Sequence, residues 1–231
     1  MNHGQYELAP DLWLDARRAA WLPGHGALVV SDLHLGYAWA HRRAGQMLPL
    51  TARENVGERL VELCDFYRAQ TIHLLGDIVH EAIFIDAMKR ELCDFFSVLR
   101  ERAEVKLIAG NHDRKLRELL DVCGIDLEIA TELRLGRFAL SHGDNAGNVP
   151  RDAWLLMGHE HPAISISDRV ASSAKCPCFL IGDNEVVLPA FSRWAAGANI
   201  NSGGFLSTRA TNAHFAQAMA IVGDRLLPIP L

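Results

Sequence analysis

Five short polar clusters lie between residues 32 and 161: Asp32-Leu33-His34, Gly76-Asp77, Gly110-Asn111-His112-Asp113, Ser141-His142-Gly143-Asp144 and Gly158-His159-Glu160-His161. Carboxylate, imidazole and amide oxygen are hard-to-borderline ligands that suit Mn, Fe or Zn, and the absence of cysteine from the clusters argues against a structural zinc site. Two such ions roughly 3.5–4 Å apart activate a water and steady a phosphoryl group during in-line displacement, and they need a carboxylate able to bridge them. A lone D-x-H or G-D carries little weight, because turns select the same residues. Five clusters in this order, each at the end of a predicted strand, are not explained by turn chemistry alone.

In open α/β sheets the ligand site lies beyond the carboxyl ends of the strands, so each cluster needs a strand beneath it. The apolar, β-branched run Ala27–Ser31 ends at Asp32, Thr71–Leu75 at Gly76, and Val105–Ala109 at Gly110. Later, Arg137–Ser141 ends at His142 and Trp154–Met157 at Gly158. Between the first of these runs, Thr51 is read as an N-cap with Glu54 three residues on, and Val56, Leu60, Leu63 and Phe66 give a helical face to about Arg68. A second helix is expected from about Ile85 to Arg102, burying Met88, Leu92, Phe95, Phe96 and Leu99. Short strands around Tyr6–Leu8, Leu12–Leu14 and Ala19–Leu22 open the chain. The alternation predicts a mostly parallel α/β arrangement as far as about Gly124. Beyond it the apolar runs are short and strand-like (Leu127–Ile129, Ile164–Ile166, Cys178–Ile181, Glu185–Leu188, Met219–Val222, Arg225–Ile229), which implies a second sheet packed on the first.

With 231 residues, 49% of them hydrophobic, and no linker, residues 1–231 are read as a single domain. No apolar stretch approaches the roughly 20 residues that span a bilayer, and Met1–Pro10 lacks the pattern of a secretory signal, so a cytoplasmic protein is expected. The five cysteines are an odd number among apolar neighbours, which points to reduced thiols. Cys176-Pro177-Cys178, without a matching second pair, is read as two packed thiols flanking a turn. A formal net charge of −5 gives no global attraction to nucleic acid, so such binding would need a local basic patch.

The order D-x-H, G-D, G-N-H-D, a lone His and G-H-x-H, spanning Asp32 to His161, resembles the calcineurin-like metallophosphoesterase superfamily. The resemblance implies a four-layer α/β/β/α sandwich of two mixed sheets, with two divalent metal ions, Mn first and Fe or Zn as alternatives, at the loops between the sheets. It implies that Asp32, His34 and His161 hold one ion, that Asn111, His142 and His159 hold the other, and that Asp77 bridges them. It further implies that His112 protonates the leaving group or stabilises the charged transition state, with Asp113 orienting it; a turn residue would occupy the same position. The large double-strand-break-repair nucleases of the superfamily carry a capping domain, and no segment here fits one.

A closer resemblance is to the ligase-associated DNA-damage-response endonucleases of the PdeM type. It rests on Asp32-Leu33-His34-Leu35-Gly36-Tyr37 with Arg42, Arg43, Gly45, Leu48 and Pro49, on Gly76-Asp77-Ile78-Val79-His80, and on Val187-Leu188-Pro189-Ala190-Phe191. His80 stands where many superfamily members carry an acidic or amide residue, and is read as an outer-shell partner or a substrate contact. Arg42, Arg43 and Arg114 are either phosphate-facing, where they would clamp a diester backbone, or part of solvated helix faces. The expected function is a phosphodiesterase acting on single-stranded nucleic acid or a nucleotide, with repair ligase or helicase partners implied by the resemblance alone. A phosphomonoesterase or diadenosine-polyphosphate hydrolase is the alternative enzyme. A non-catalytic metal-binding scaffold is the alternative of another class, and the filled ligand positions argue against it.

Overall fold

The run Ala27–Ser31 is apolar on both faces, and the fold buries both. In the computed structural model, which describes residues 4–46, 48, 55–145, 152–167, 173–195, 197–202 and 204–231, this run is strand β4 in the middle of a first sheet. β1 (Gln5–Ala9), β2 (Leu12–Asp15) and β3 (Ala19–Leu22) precede it as antiparallel neighbours, and β5 (Thr71–Leu75), β6 (Glu104–Ile108) and β7 (Ile129–Ala130) follow it in parallel. The strands thus lie side by side in chain order. Parallel neighbours need crossovers, which helices supply: α1 (Tyr37–Arg43) and α2 (Val56–Tyr67) before β5, α3 (Asp86–Arg100) before β6 and α4 (Leu116–Cys123) before β7. The Asn55 side chain caps α2 by accepting the Glu58 amide. Thr51 and Glu54, the cap expected from the sequence, lie outside the described residues.

The second sheet carries β8 (Glu132–Leu135), β9 (Phe138–Ser141), β10 (Trp154–Met157), β11 (Pro162–Ser167), β12 (Ser173–Gly182), β13 (Glu185–Val187) and β14 (Ala198–Asn199), with β15 (Phe215–Val222) and β16 (Arg225–Pro230) joined through β12. β9, β10 and β13 run parallel and most other pairs antiparallel, so both sheets are mixed.

Side chains alternate across each strand, and the alternation builds the layers. Leu28, Val30, Ile72, Leu74 and Leu107 face the helices, meeting Leu60, Met88, Leu92 and Phe96. Their neighbours Val29, Leu75 and Ile108 point between the sheets, against Phe138, Leu140, Leu156, Phe179 and Met219. The far face of the second sheet, with Leu155, Met157, Cys178, Leu180 and Ala218, is covered by Ala210 of the short helix α5 (Thr208–Asn212) and by Ile200 and Phe205. The result is the four-layer α/β/β/α sandwich, its last layer reduced to one turn-and-a-half of helix.

The Cys176-Pro177-Cys178 segment is no turn. It lies within β12, where Pro177 marks the change from pairing with β11 to pairing with β13 and β15, a position that tolerates a missing donor. All five cysteines are free, and burial pushes the Cys178 thiol up to about 12. No helix of the described residues is long and apolar enough to cross a membrane.

Phe179→Ala, which truncates a ring with no exposed surface between the sheets, is expected to cost about 3–5 kcal/mol in urea unfolding. Val122→Ala, on the exposed side of α4, should stay within about 0.5 kcal/mol of the parent.

Candidate metal centre

The loops leaving β4 and β5 do not diverge. Beyond the strands they continue as a ladder: Asp32 N–H donates to the Gly76 carbonyl (3.2 Å), His34 N–H to Asp77 (2.9 Å), Leu35 N–H to Ile78 (2.9 Å) and His80 N–H back to Leu35 (2.9 Å). This fixes Asp32 and His34 relative to Asp77 through backbone alone. On the second sheet Gly158 N–H donates to the His142 carbonyl (2.8 Å), joining its two clusters in the same way. The sheets are then stitched to each other at Asp32. Its carboxylate accepts the His159 amide (3.1 Å) and the Ser31 hydroxyl (2.6 Å), and its carbonyl accepts Ser192 N–H (3.1 Å).

Aiming five side chains inward from loop ends strains the backbone. Asp32, His34, Asp77, His159 and His161 all have positive φ, between 44° and 70°, each costing on the order of 1 kcal/mol for a residue with a Cβ. The motif glycines relieve crowding. A Cβ on Gly158 would fall on the Ser31 hydroxyl and the Asp32 carboxylate, and one on Gly110 would fall on Asp77.

The polar atoms converge in two groups that share Asp77. In the first, ligand atoms of Asp32, His34, Asp77 and His161 all lie within 4.8 Å of one another. His161 Nε2 is 3.1 Å from Asp32 Oδ1 and 3.3 Å from His34 Nε2, and His34 Nε2 is 3.9 Å from Asp77 Oδ2. In the second, His142 Nε2 is 3.1 Å from Asn111 Oδ1, 3.2 Å from His159 Nδ1 and 3.5 Å from Asp77 Oδ1. The two oxygens of Asp77 therefore face different groups.

Proton accounting defines what these groups need. His142 Nδ1 lies 2.9 Å from the Leu75 carbonyl, which can only accept, so Nδ1 donates there and Nε2 is the nitrogen that faces Asn111, His159 and Asp77, with a lone pair for a cation once it gives up its proton. With Leu75 served by His142, the single hydroxyl proton of Ser31 goes to the charged acceptor, Asp32. Carboxylate and imidazole atoms thus converge at the centre of each group, joined in the second by the Asn111 amide oxygen, a set of atoms on which a cation could replace protons.

The charges respond accordingly. Burial works against the Asp32 carboxylate, but His161, His142 and His34 around it outweigh burial and hold its pKa well below the usual range. Burial pushes Asp77 up. Burial depresses His34 to about 3 and lowers His159, whereas in His142 and His161 the opposing pull of Asp32 wins and both hold a proton more firmly than a free histidine.

His112 sits at the exposed mouth beside Asn111. Its amide donates to Asp77 Oδ1 (3.0 Å), its Nδ1 is 2.8 Å from the His80 carbonyl and its Nε2 is 3.9 Å from Asp77 Oδ2. Asp113 does not orient this ring by direct contact, contrary to the sequence-based expectation. Its buried carboxylate accepts the amides of Gly110 (2.9 Å), Ile78 and Val79 (both 3.2 Å), so it staples the third cluster to the second and reaches His112 through backbone, that of the third cluster and that leading to His80. Burial raises Asp113 to about 6 despite these donors.

The other sequence-flagged residues divide. The His80 ring joins the site, 5.4 Å from His34 and 5.6 Å from His112. Arg42 donates to the Leu48 carbonyl and Arg43 lies 4.0 Å from Glu81, both on the exposed end of α1, while Arg114 is exposed in the turn before α4. Supporting residues with no chemical signature of their own escaped the sequence reading. Glu160, inside G-H-E-H, is buried and accepts the Leu206 and Ser207 amides. Arg18 donates to the Ala190 and Ser192 carbonyls and Arg59 to Phe191, which is where the Val187–Phe191 segment serves: it runs behind Ser31 and Asp32.

No protein-family model and no curated protein matches the chain. Among solved structures, the crystal structure of Pseudomonas putida nuclease MPE matches with a TM-score of 0.72 at 25% identity, over 99% of this chain and 100% of that one. The fold is that of a metallophosphoesterase-type nuclease. In this metallophosphoesterase fold the clusters of both sheets meet at one edge of the sandwich, and the buried Asp and His side chains there form a group that could bind metal.

Gly158→Ala should cost about 1–3 kcal/mol in thermal unfolding and lower the metal content of the purified protein, because the new methyl displaces Asp32. Retention of full stability and metal content would show that Gly158 is not fixed by this close approach.

Proposed function

We propose that the chain is a phosphodiesterase that works with two divalent ions, Mn first and Fe or Zn as alternatives, on single-stranded nucleic acid or nucleotides. The observation that carries this reading is the division of Asp77, one oxygen toward His34 and the other toward His142, between two convergent sets of side chains. On this reading Asp32, His34 and His161 hold one ion, Asn111, His142 and His159 the other, and Asp77 belongs to both. When bound, such a pair supplies a water acidic enough to attack at neutral pH and offsets charge on the phosphoryl oxygens. The likeness to a nuclease structure supports a phosphate-ester substrate, and the Val187–Phe191 segment behind Asp32 favours the PdeM type within that class.

The chain's own residues then have separate tasks. His112 is held by its Nδ1 on the His80 carbonyl, which leaves Nε2 to deliver a proton to the departing oxygen. Asp113 keeps that carbonyl in place. Ser31 and the His159 amide hold Asp32 in one rotamer, so that no rearrangement is needed as charge develops.

Mn-loaded protein should hold close to two ions per chain by elemental analysis, and chelation should abolish diester hydrolysis. Asp77→Ala should lose both ions, His34→Ala about one. A saturating content of one ion in the parent, or both ions retained in Asp77→Ala, would refute the shared-carboxylate reading.

His112→Asn should keep both ions yet lose on the order of 10²–10⁴ in kcat on diesters with alkoxide leaving groups. On a nitrophenyl diester, whose leaving group departs unprotonated, the loss should be less than about tenfold. Equal losses on both would assign His112 to charge stabilisation instead.

A further inference from the structure

A file of aromatic rings leads out of the metal centre. The His34 ring meets His80 at 5.4 Å between centroids, His80 meets Tyr37 at 4.6 Å, and Tyr37 stacks on Trp194 at 5.6 Å with the planes only 13° apart. His41 packs against Tyr37 at 4.1 Å and stacks on His80 at 5.6 Å. Both outer residues are tied to the Asp32–His34 loop through their main-chain amides: Tyr37 N–H donates to the His34 carbonyl (3.2 Å), and Trp194 N–H donates to the hydroxyl of Ser192 (3.2 Å), whose own N–H donates to the Asp32 carbonyl (3.1 Å). The backbone that carries each ring is therefore held beside the clusters.

Neither ring is core. Tyr37 and Trp194 are half-buried, and with Trp39 they line a cavity of about 690 Å³ that reaches His34, within the size range of small-ligand sites. Among the described residues, the charged side chains on its wall are Glu58, Glu91 and Asp94 against Arg90, and Glu91 also braces the wall by accepting the Gly36 amide and the Trp39 indole N–H. An acidic surplus turns phosphate away, so the part of a nucleotide suited to this cavity is the uncharged, flat one.

We propose that Trp194, backed by Tyr37, is a stacking platform for a nucleobase of a single-stranded substrate, on a nucleotide flanking the phosphodiester that is cut. The proposal rests on the phosphodiesterase reading above, narrows its substrate to a single strand and adds the residue that selects it. A chain with a net charge of −5 gains little from long-range attraction to a phosphate backbone, so base stacking, which contributes on the order of tenfold or more in affinity per base and tolerates any base, is the available source of binding. It also favours single strands, whose bases are unstacked.

The test pairs a side chain with a base. Binding of a labelled oligothymidylate and of an abasic strand of equal length is measured by fluorescence anisotropy in chelator, and kcat/KM for both strands is measured with the Mn-loaded enzyme. Wild type should prefer the thymidylate at least about tenfold by both measures. Trp194→Ala should reduce that ratio to about threefold or less, mostly through KM, and Trp194→Phe should restore most of it. An unchanged ratio in Trp194→Ala, or no preference in wild type, overturns the platform while leaving the phosphodiesterase reading intact. Hydrolysis of a small nitrophenyl diester with neither strand bound nor cut overturns the platform and the nucleic-acid substrate together. Failure to cut any diester at full metal content overturns the phosphodiesterase reading itself.

Discussion

The whole site hangs on one buried carboxylate. Asp32 has no exposed surface, and an isolated charge there would cost several kcal/mol. Its compensation comes from both halves of the molecule: the Ser31 hydroxyl on its own strand end, the His159 amide from the second sheet, and the imidazoles of His161 and His142 beside it. Because the donors sit on different sheets, stabilising this charge requires the sheets to dock in one register. A purely apolar interface, such as the layer of Val29, Phe138 and Phe179 beneath it, is less demanding of position, since many packings bury similar area. The carboxylate thus converts a hydrophobic contact between sheets into a unique arrangement, and that arrangement brings the remaining clusters together.

Backbone bonds carry the constraint outward. The ladder between the Asp32–Leu35 and Gly76–His80 segments, the three amides on Asp113 and the pair on Glu160 each join two loops without using a side chain that faces the centre. The loops are thereby held without relying on the contacts that the inward-facing side chains make with one another. Positive φ at five of them is tolerated for the same reason: a conformation costing on the order of 1 kcal/mol persists when several bonds on either side determine it.

How much of this the sequence disclosed follows from what each element signals. β4, β5, β9 and β10 were legible because they are apolar on both faces and stop at a polar residue with a chemical purpose. The helix α3 was legible because Met88, Leu92, Phe95 and Leu99 repeat at helical spacing over fifteen residues. Short helices were not. α4 has the right spacing in Leu116, Leu119 and Leu120, but it follows the third cluster after a basic run that reads equally as a solvated face, and α1 hides its few buried contacts behind Gly36 and Ala40. In the second sheet most strand centres were found but β8 and β14 were not, and Leu127–Ile129, expected there, overlaps β7 at the edge of the first sheet; strand lengths were not legible either, since Ser173–Lys175 is exposed and pairing, not burial, makes it strand. At the centre the clusters named the converging side chains, while the tautomer of His142, the true bond of His112 and the role of Asp113 depend on carbonyls and amides that no side-chain pattern records.

The two acceptor groups differ in exposure, and the difference sets a direction. Asp32, His34 and Asp77 are buried, whereas Asn111 and His112 lie at the surface and His159 and His161 between. A group entering from solvent meets the Asn111–His112 side first, with His80 and Tyr37 to one flank. The buried side is where geometry is held most firmly, by Ser31, the Gly76 carbonyl and Ser192. The exposed side rests on Asp77, whose Oδ1 accepts the His112 amide, so the placement of His112 is referred back, through a single carboxylate, to the strand ends that the buried Asp32 locks together.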